Sequence, residues 1–172
     1  MTNKIKKEIK NIKITNNIEK EIKNLKNEEN YSEKENKIYE FEVEGTIKGK
    51  GRPRVNTYTC QVYTPNSTKD YEDLIKQYFA IKYPQYKPFE NRVFVKIIAY
   101  FKIPKNTSKK DKELILEGKL SPTKKPDIDN IVKIILDALN KMAFKDDNQI
   151  TKLDVEKVYG EEEKIFIKIE EY

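Results

Sequence analysis

The chain has 172 residues, room for one ordinary domain with a buried core and an additional segment. Its 35 Lys and Arg against 29 Asp and Glu give a net charge of +6, which favours an anionic partner. Histidine is absent and Cys60 is the only cysteine, which excludes Ser-His-Asp and Cys-His triads, histidine metal sites and intramolecular disulfides. Acid–base or metal chemistry therefore falls to carboxylates, lysines, tyrosines or water. No apolar run approaches the roughly 20 residues of a membrane span, and the N-terminus lacks the apolar core of a secretory signal. The expectation is a cytoplasmic protein with no membrane partner.

Residues 1–37 carry 10 Lys and 7 Glu, and neither Gly nor Pro. Apolar positions at Ile5, Ile9 and Ile12, then at Ile18, Ile22 and Leu25, fall on one helix face, but the register breaks between the triplets. This predicts a charged amphipathic helical extension outside the core fold. From residue 38 to residue 172 the signals are globular. Tyr39–Glu44 alternates apolar and acidic residues, as a half-buried strand does. Lys48–Thr64 reads as a loop or irregular hairpin punctuated by Gly and Pro. Asn66 or Ser67 is placed to cap a helix running to about Tyr83, with Tyr71, Leu74, Ile75, Tyr78 and Phe79 inward.

Arg92–Ile103 has apolar residues on both faces, the pattern of a central strand. Ser108 is placed to cap a short helix ending at Gly118. Pro122 and Pro126 keep the next approach extended. A largely apolar, hence buried, helix follows from about Ile128 to Met142, then strands over Gln149–Tyr159 and Lys164–Glu170 with a turn around Gly160. The expected architecture is α/β (α+β): a compact single domain with a mixed sheet of about four strands packed by helices.

Four acids, Asp127, Asp129, Asp146 and Asp147, flank the buried helix of an otherwise basic chain. Oxygen donors of this kind suit magnesium or manganese, which keep waters and share substrate phosphate oxygens. Asp127 and Asp129 sit two apart in an extended approach, so their carboxylates project to one side. Asp146 and Asp147 join them only if the following strand starts beside the beginning of the helix. Singly, each acid also fits a plain helix cap or a turn. Lys133 lies four residues after Asp129 and four before Asp137 on one helix face. It reads either as a rung of an ion-pair ladder or as a cation beside a phosphate. Asn130 reads as a helix-start residue or a hydrogen-bond donor near the acids. A second patch, Lys48-Gly49-Lys50-Gly51-Arg52-Pro53-Arg54, has four positive charges and no acid. Its glycines permit close backbone approach and Arg52 and Arg54 suit forked phosphate contacts, while Tyr58 and Tyr63 suit stacking on unpaired bases.

Asp127-Ile128-Asp129-Asn130, Lys133, Asp137-Ala138-Leu139 and Asp146-Asp147-Asn148-Gln149, in that order, resemble the signature of RusA-type Holliday-junction resolvases of bacteria and their phages. Gly51-Arg52-Pro53-Arg54 and Tyr63-Thr64-Pro65 are similar to the N-terminal half of that family, and the resemblance runs from about Tyr39 to Tyr172. It implies a homodimeric α/β nuclease that binds branched DNA, four-way junctions above all, by shape. Paired magnesium-dependent nicks, with manganese as an alternative, would leave ligatable ends. Carried over, the metal-binding acids are Asp127, Asp129 and Asp147, the catalytic lysine is Lys133, and Asp146 is their neighbour. Phosphate contacts fall to Lys48, Lys50, Arg52 and Arg54. A nuclease pairing Pro126-Asp127 with Glu162 and Lys164 leaves Asp129 and Asp147 unexplained. A non-catalytic branched-DNA-binding protein is the remaining alternative, although acids on a DNA surface repel phosphate unless metal bridges them. An adaptor acting through residues 1–37 would predict that only their deletion matters.

Overall fold

The structure is a computed structural model that describes residues 37–172. The charged extension expected over residues 1–37 therefore lies, apart from Lys37, outside the described residues. Strand β4 (Val93–Lys102) buries Val93, Val95, Ile97, Ala99 and Phe101 on one face while Phe94, Ile98 and Tyr100 are half-buried on the other. That two-sided pattern makes it central. It is flanked by β5 (Ile150–Gly160), which runs parallel to it, and β6 (Lys164–Glu171), which runs antiparallel. Strand β1 (Ile38–Glu44) pairs antiparallel with β6, giving the order β1-β6-β4-β5, a four-stranded mixed sheet as the sequence predicts.

Ile165, Ile167 and Ile169 of β6 and Phe41 and Val43 of β1 face the same side as the buried residues of β4. Two helices cover that side. Helix α1 (Asn66–Lys82) contributes Tyr71, Ile75 and Phe79. Helix α3 (Ile128–Leu139) contributes Ile131, Ile134, Ile135, Ala138 and Leu139. Each fully buried aliphatic or aromatic side chain stabilises the fold by about 1.5–3 kcal/mol. Between β4 and α3 lies the short α2 (Lys109–Leu116), whose Ser108 hydroxyl accepts from the Asp111 amide (3.1 Å), with Gly118 at positive φ beyond its end, as the sequence predicts.

Two boundaries differ from the sequence-based expectation. Helix α1 starts at the Pro65 carbonyl, which accepts from the amides of Thr68 (3.0 Å) and Lys69 (3.3 Å), so Asn66 and Ser67 are its first residues and do not cap it. Helix α3 stops at Leu139 rather than Met142. Lys141 takes a left-handed conformation (φ 66°), and its amide donates to the Phe144 carbonyl (2.8 Å), a turn that buries Ala143 and Phe144.

The parallel β4–β5 pair requires a crossover, and α3 is its return leg. Its C-terminal end lies where β4 and β5 begin, since Phe144 bridges to Phe89 just before β4. Its start lies toward their far ends, where the Lys157 ammonium donates to the Pro126 carbonyl (3.1 Å).

Candidate active site

Helix α3 carries a buried face and a second face that looks past the edge strand β5. On this second face Val132 and Leu136, with Leu153 and Val155 of β5, floor a groove of about 510 Å³. Asp129, Lys133, Asp137 and Asp147 line the same groove. Asp129 and Lys133 follow from helical spacing, four residues apart. Asp147 arrives from the turn that leads into β5.

That turn is held by Gln149. Its side-chain oxygen accepts from the amides of Lys145 (2.7 Å) and Asp146 (2.9 Å). Its amide nitrogen donates to the carbonyls of Phe89 (3.1 Å) and Asn91 (2.9 Å). Gln149 thus ties the Asp146–Asp147 corner to the segment before β4. In the sequence Gln149 closes the motif without a role of its own. The signal was present, because an acid followed three residues later by Gln is capping-box spacing.

The side chain of Asp127 makes no capping bond although the residue occupies the N-cap of α3, so its carboxylate is not consumed by the helix end. Asp129 accepts only a long contact from the Asn130 side-chain nitrogen (3.4 Å). Among the described residues Lys133 forms no ion pair, so the ladder with Asp129 and Asp137 is absent. Asp137 instead binds the Lys50 ammonium (2.7 Å), which also binds Glu72. The Asp147 carboxyl is held above its ordinary range by the hydrogen-bonding Asp146 side chain beside it, by desolvation, and by the charges of Asp146 and Asp137.

Asp127 borders a different cleft, of about 830 Å³, with Lys125, Asn130 and the basic loop Lys48–Arg54. The loop lies against the start of α3: the Lys50 amide donates to the Asn130 carbonyl (2.8 Å) and the Gly51 amide to the Thr68 hydroxyl (3.2 Å). A Cβ at position 49 would stand 2.8 Å from Pro126 Cβ and 2.9 Å from Asn130 Cβ, closer than side-chain carbons approach. Glycine is required there. Of the four cations in the loop, Lys50 turns into the protein and Lys48 lies over the Tyr71 ring at 5.9 Å. Arg52 and Arg54 are exposed at the cleft.

The structure therefore brings Asp129, Lys133 and Asp147 to one groove and puts Asp127 in the adjoining cleft. Because β5 starts beside the C-terminal end of α3, the two acid pairs stand at opposite ends of the helix rather than side by side. Among the described residues no three acids converge to hold a metal ion unaided. The donor set still suits a hard divalent cation. It is entirely oxygen, and Asp147 is crowded by like charge that a cation would relieve. Magnesium usually takes one or two carboxylates and completes its shell with water and phosphate. The rival pairing of Pro126-Asp127 with Glu162 and Lys164 finds no support, since the Lys164 ammonium is held by Glu42 (2.9 Å).

The sequence matches the family described as Endodeoxyribonuclease RusA over residues 44–170. This chain belongs to the RusA endodeoxyribonuclease family. Similarity extends to the uncharacterized protein YqaN of Bacillus subtilis (strain 168), 38% identical over 136 residues that cover 76% of this chain and 94% of that protein. The RusA-matched segment begins at the end of β1 and spans every residue of the groove and the basic cleft. Among the described residues no helix is long and apolar enough to cross a membrane.

Proposed function

We propose that the protein is a structure-selective endodeoxyribonuclease that resolves four-way DNA junctions by paired, divalent-metal-dependent hydrolysis, as a homodimer acting on one strand per subunit. The observation that carries this reading is the juxtaposition on α3 of an acidic groove with an unpaired lysine and a basic cleft with two free arginines, in a RusA-family chain.

Asp129 at one end of the groove and Asp147 at the other would each hold magnesium with water and phosphate completing the shell, and Asp127 would add negative charge at the helix start. The ion when bound lowers the pKa of a coordinated water and neutralises phosphate charge. Manganese has the same oxygen preference. The residues of the chain do the rest. Arg52 and Arg54 grip the DNA backbone and fix its register on the cleft. Lys133, bound to no carboxylate, is available to the phosphate oxygens and stabilises the charge that develops as the P–O bond breaks. Gln149 holds Asp147 at the groove, and Asn130 joins the loop to α3. Asp146 adds the negative charge that keeps Asp147 receptive to a cation.

Branched DNA suits a site with two separately charged troughs, because strands diverging from a junction offer phosphates at more than one angle. The test is competition binding in EDTA between a synthetic four-way junction and linear duplex of equal length, followed by addition of magnesium. Preference for the junction and nicking of it only after magnesium support the proposal. Junction binding with no cleavage under magnesium or manganese would leave the non-catalytic binding protein instead.

A further inference from the structure

Beyond the cleft, the chain from Arg54 to Tyr63 forms a small hairpin in which β2 (Arg54–Val55) pairs with β3 (Val62–Tyr63). Its apolar side chains are not buried against the domain: Val55 is 59% exposed, Val62 68% and Tyr58, at the tip, 97%. An exposed aromatic on a loose loop would say little. This tip is a built turn.

The Asn56 side-chain oxygen accepts from the amides of Tyr58 (2.9 Å) and Thr59 (3.3 Å), and the Asn56 amide donates to the Gln61 carbonyl (2.8 Å). Cys60 closes the turn with a left-handed φ of 53°, a conformation a non-glycine residue adopts at a cost. The backbone is thus fixed with the Tyr58 ring directed away from the protein.

The surroundings identify what it meets. The hairpin rises from Arg54, which lines the phosphate-binding cleft, and from Thr46 through Lys69 the chain contains five cations and no acid. An acidic protein or an anionic lipid surface would match the charge but presents no stack of flat rings to the tip, whereas nucleic acid offers phosphates to the base of the hairpin and a π-face to Tyr58. A flat ring gains from stacking on a base only where the base is unstacked, and a base at a branch point is the one most readily exposed.

We propose that the β2–β3 hairpin is a branch-point probe: Arg54 and Arg52 hold the backbone at its base while Tyr58 stacks on a base at the centre of branched DNA. This inference rests on the branched-DNA reading above and adds the element that recognises the branch.

The experiment uses full-length wild-type, Tyr58→Ala and Tyr58→Phe proteins in EDTA, with four-way junctions carrying 2-aminopurine at the branch point and duplexes carrying it internally. At 97% exposure, substitution of Tyr58 leaves the fold intact. Wild type and Tyr58→Phe are expected to change 2-aminopurine fluorescence on the junction alike. Tyr58→Ala is expected to lose that change and to bind the junction about tenfold or more weakly, as loss of one stacked base implies, with duplex binding unaltered. Junction binding and fluorescence of Tyr58→Ala equal to wild type would overturn the inference while leaving the nuclease reading standing. Loss of self-association in Tyr58→Ala, seen by light scattering, would also overturn it and assign the hairpin to contact between copies. No preference of wild type itself for junction over duplex would remove the branched-DNA reading and this inference together.

Discussion

Replacing Lys50 with Met removes the cation that joins the basic loop to two helices, and its cost can be worked from the geometry. The ammonium binds Glu72 of α1 and, at 2.7 Å, Asp137 of α3. The three side chains are 20%, 15% and 37% exposed respectively. Breaking a fully buried ion pair costs about 3–5 kcal/mol because a charge is left desolvated. An exposed pair is worth about 0.2–1 kcal/mol. Glu72 is near the buried limit and Asp137 is partly in water, so Lys50→Met is expected to cost roughly 2–3 kcal/mol. A domain of this size would then lose roughly 5–10 °C in melting temperature. Burial opposes charge on Lys50, but the bonds and charges of Asp137 and Glu72 prevail and hold its pKa above the ordinary value of 10.5. A raised folded pKa means that the contribution is complete below the unfolded pKa and fades as pH rises through the folded one. The gap between wild type and Lys50→Met should therefore stay constant through neutral pH and close only above about pH 10.5. Urea denaturation of both proteins across that range is the assay. A gap below about 0.5 kcal/mol, the ordinary surface value, would refute the assignment of Lys50 as a structural clamp.

The other consequences concern the site. Asp129→Asn and Asp147→Asn should each end junction cleavage while leaving melting temperature and junction binding in EDTA near wild type; loss of folding in either would mean the acid is structural. Gly49→Ala, whose Cβ would meet Pro126 and Asn130 at under 3 Å, should destabilise by about 1–3 kcal/mol and weaken DNA binding, both readable by denaturation and gel shift. Gln149→Ala should lower the cleavage rate of bound junction with little change in its affinity, since the side chain positions Asp147 and faces no DNA cleft; single-turnover kinetics separate the two. Replacing Arg52 and Arg54 together with Ala should flatten the salt dependence of duplex binding by roughly 0.9 in slope per lost phosphate contact, whereas unchanged slope would place the backbone elsewhere.

Much of the fold was legible in the sequence because its strands and helices keep their periods cleanly. β6 alternates Ile165, Ile167 and Ile169, and the apolar content of α3 announced its burial. The boundaries that shifted were decided by backbone groups without a side-chain signature, the Pro65 carbonyl at the start of α1 and the left-handed Lys141 after α3. The candidate residues could be named from the sequence, but not how the fold would arrange them. Nothing local in Asp146-Asp147 reveals whether β5 will run parallel or antiparallel to β4, and that choice sends the second acid pair to the far end of α3. The role of Lys50 was hidden for the same reason. A lysine between two glycines in a basic loop looks like a phosphate contact until long-range folding brings Glu72 and Asp137 to it. Gln149 carried a readable spacing but no visible partner in sequence.

The most direct test of the central claim is cleavage of an end-labelled synthetic four-way junction by wild-type and Asp129→Asn protein in magnesium, with the nick sites mapped on all four strands. The account predicts symmetric nicks in two opposing strands by wild type, none on linear duplex, and none by Asp129→Asn at undiminished junction binding. Equal cutting by the two proteins, or cutting of duplex as readily as junction, would contradict it.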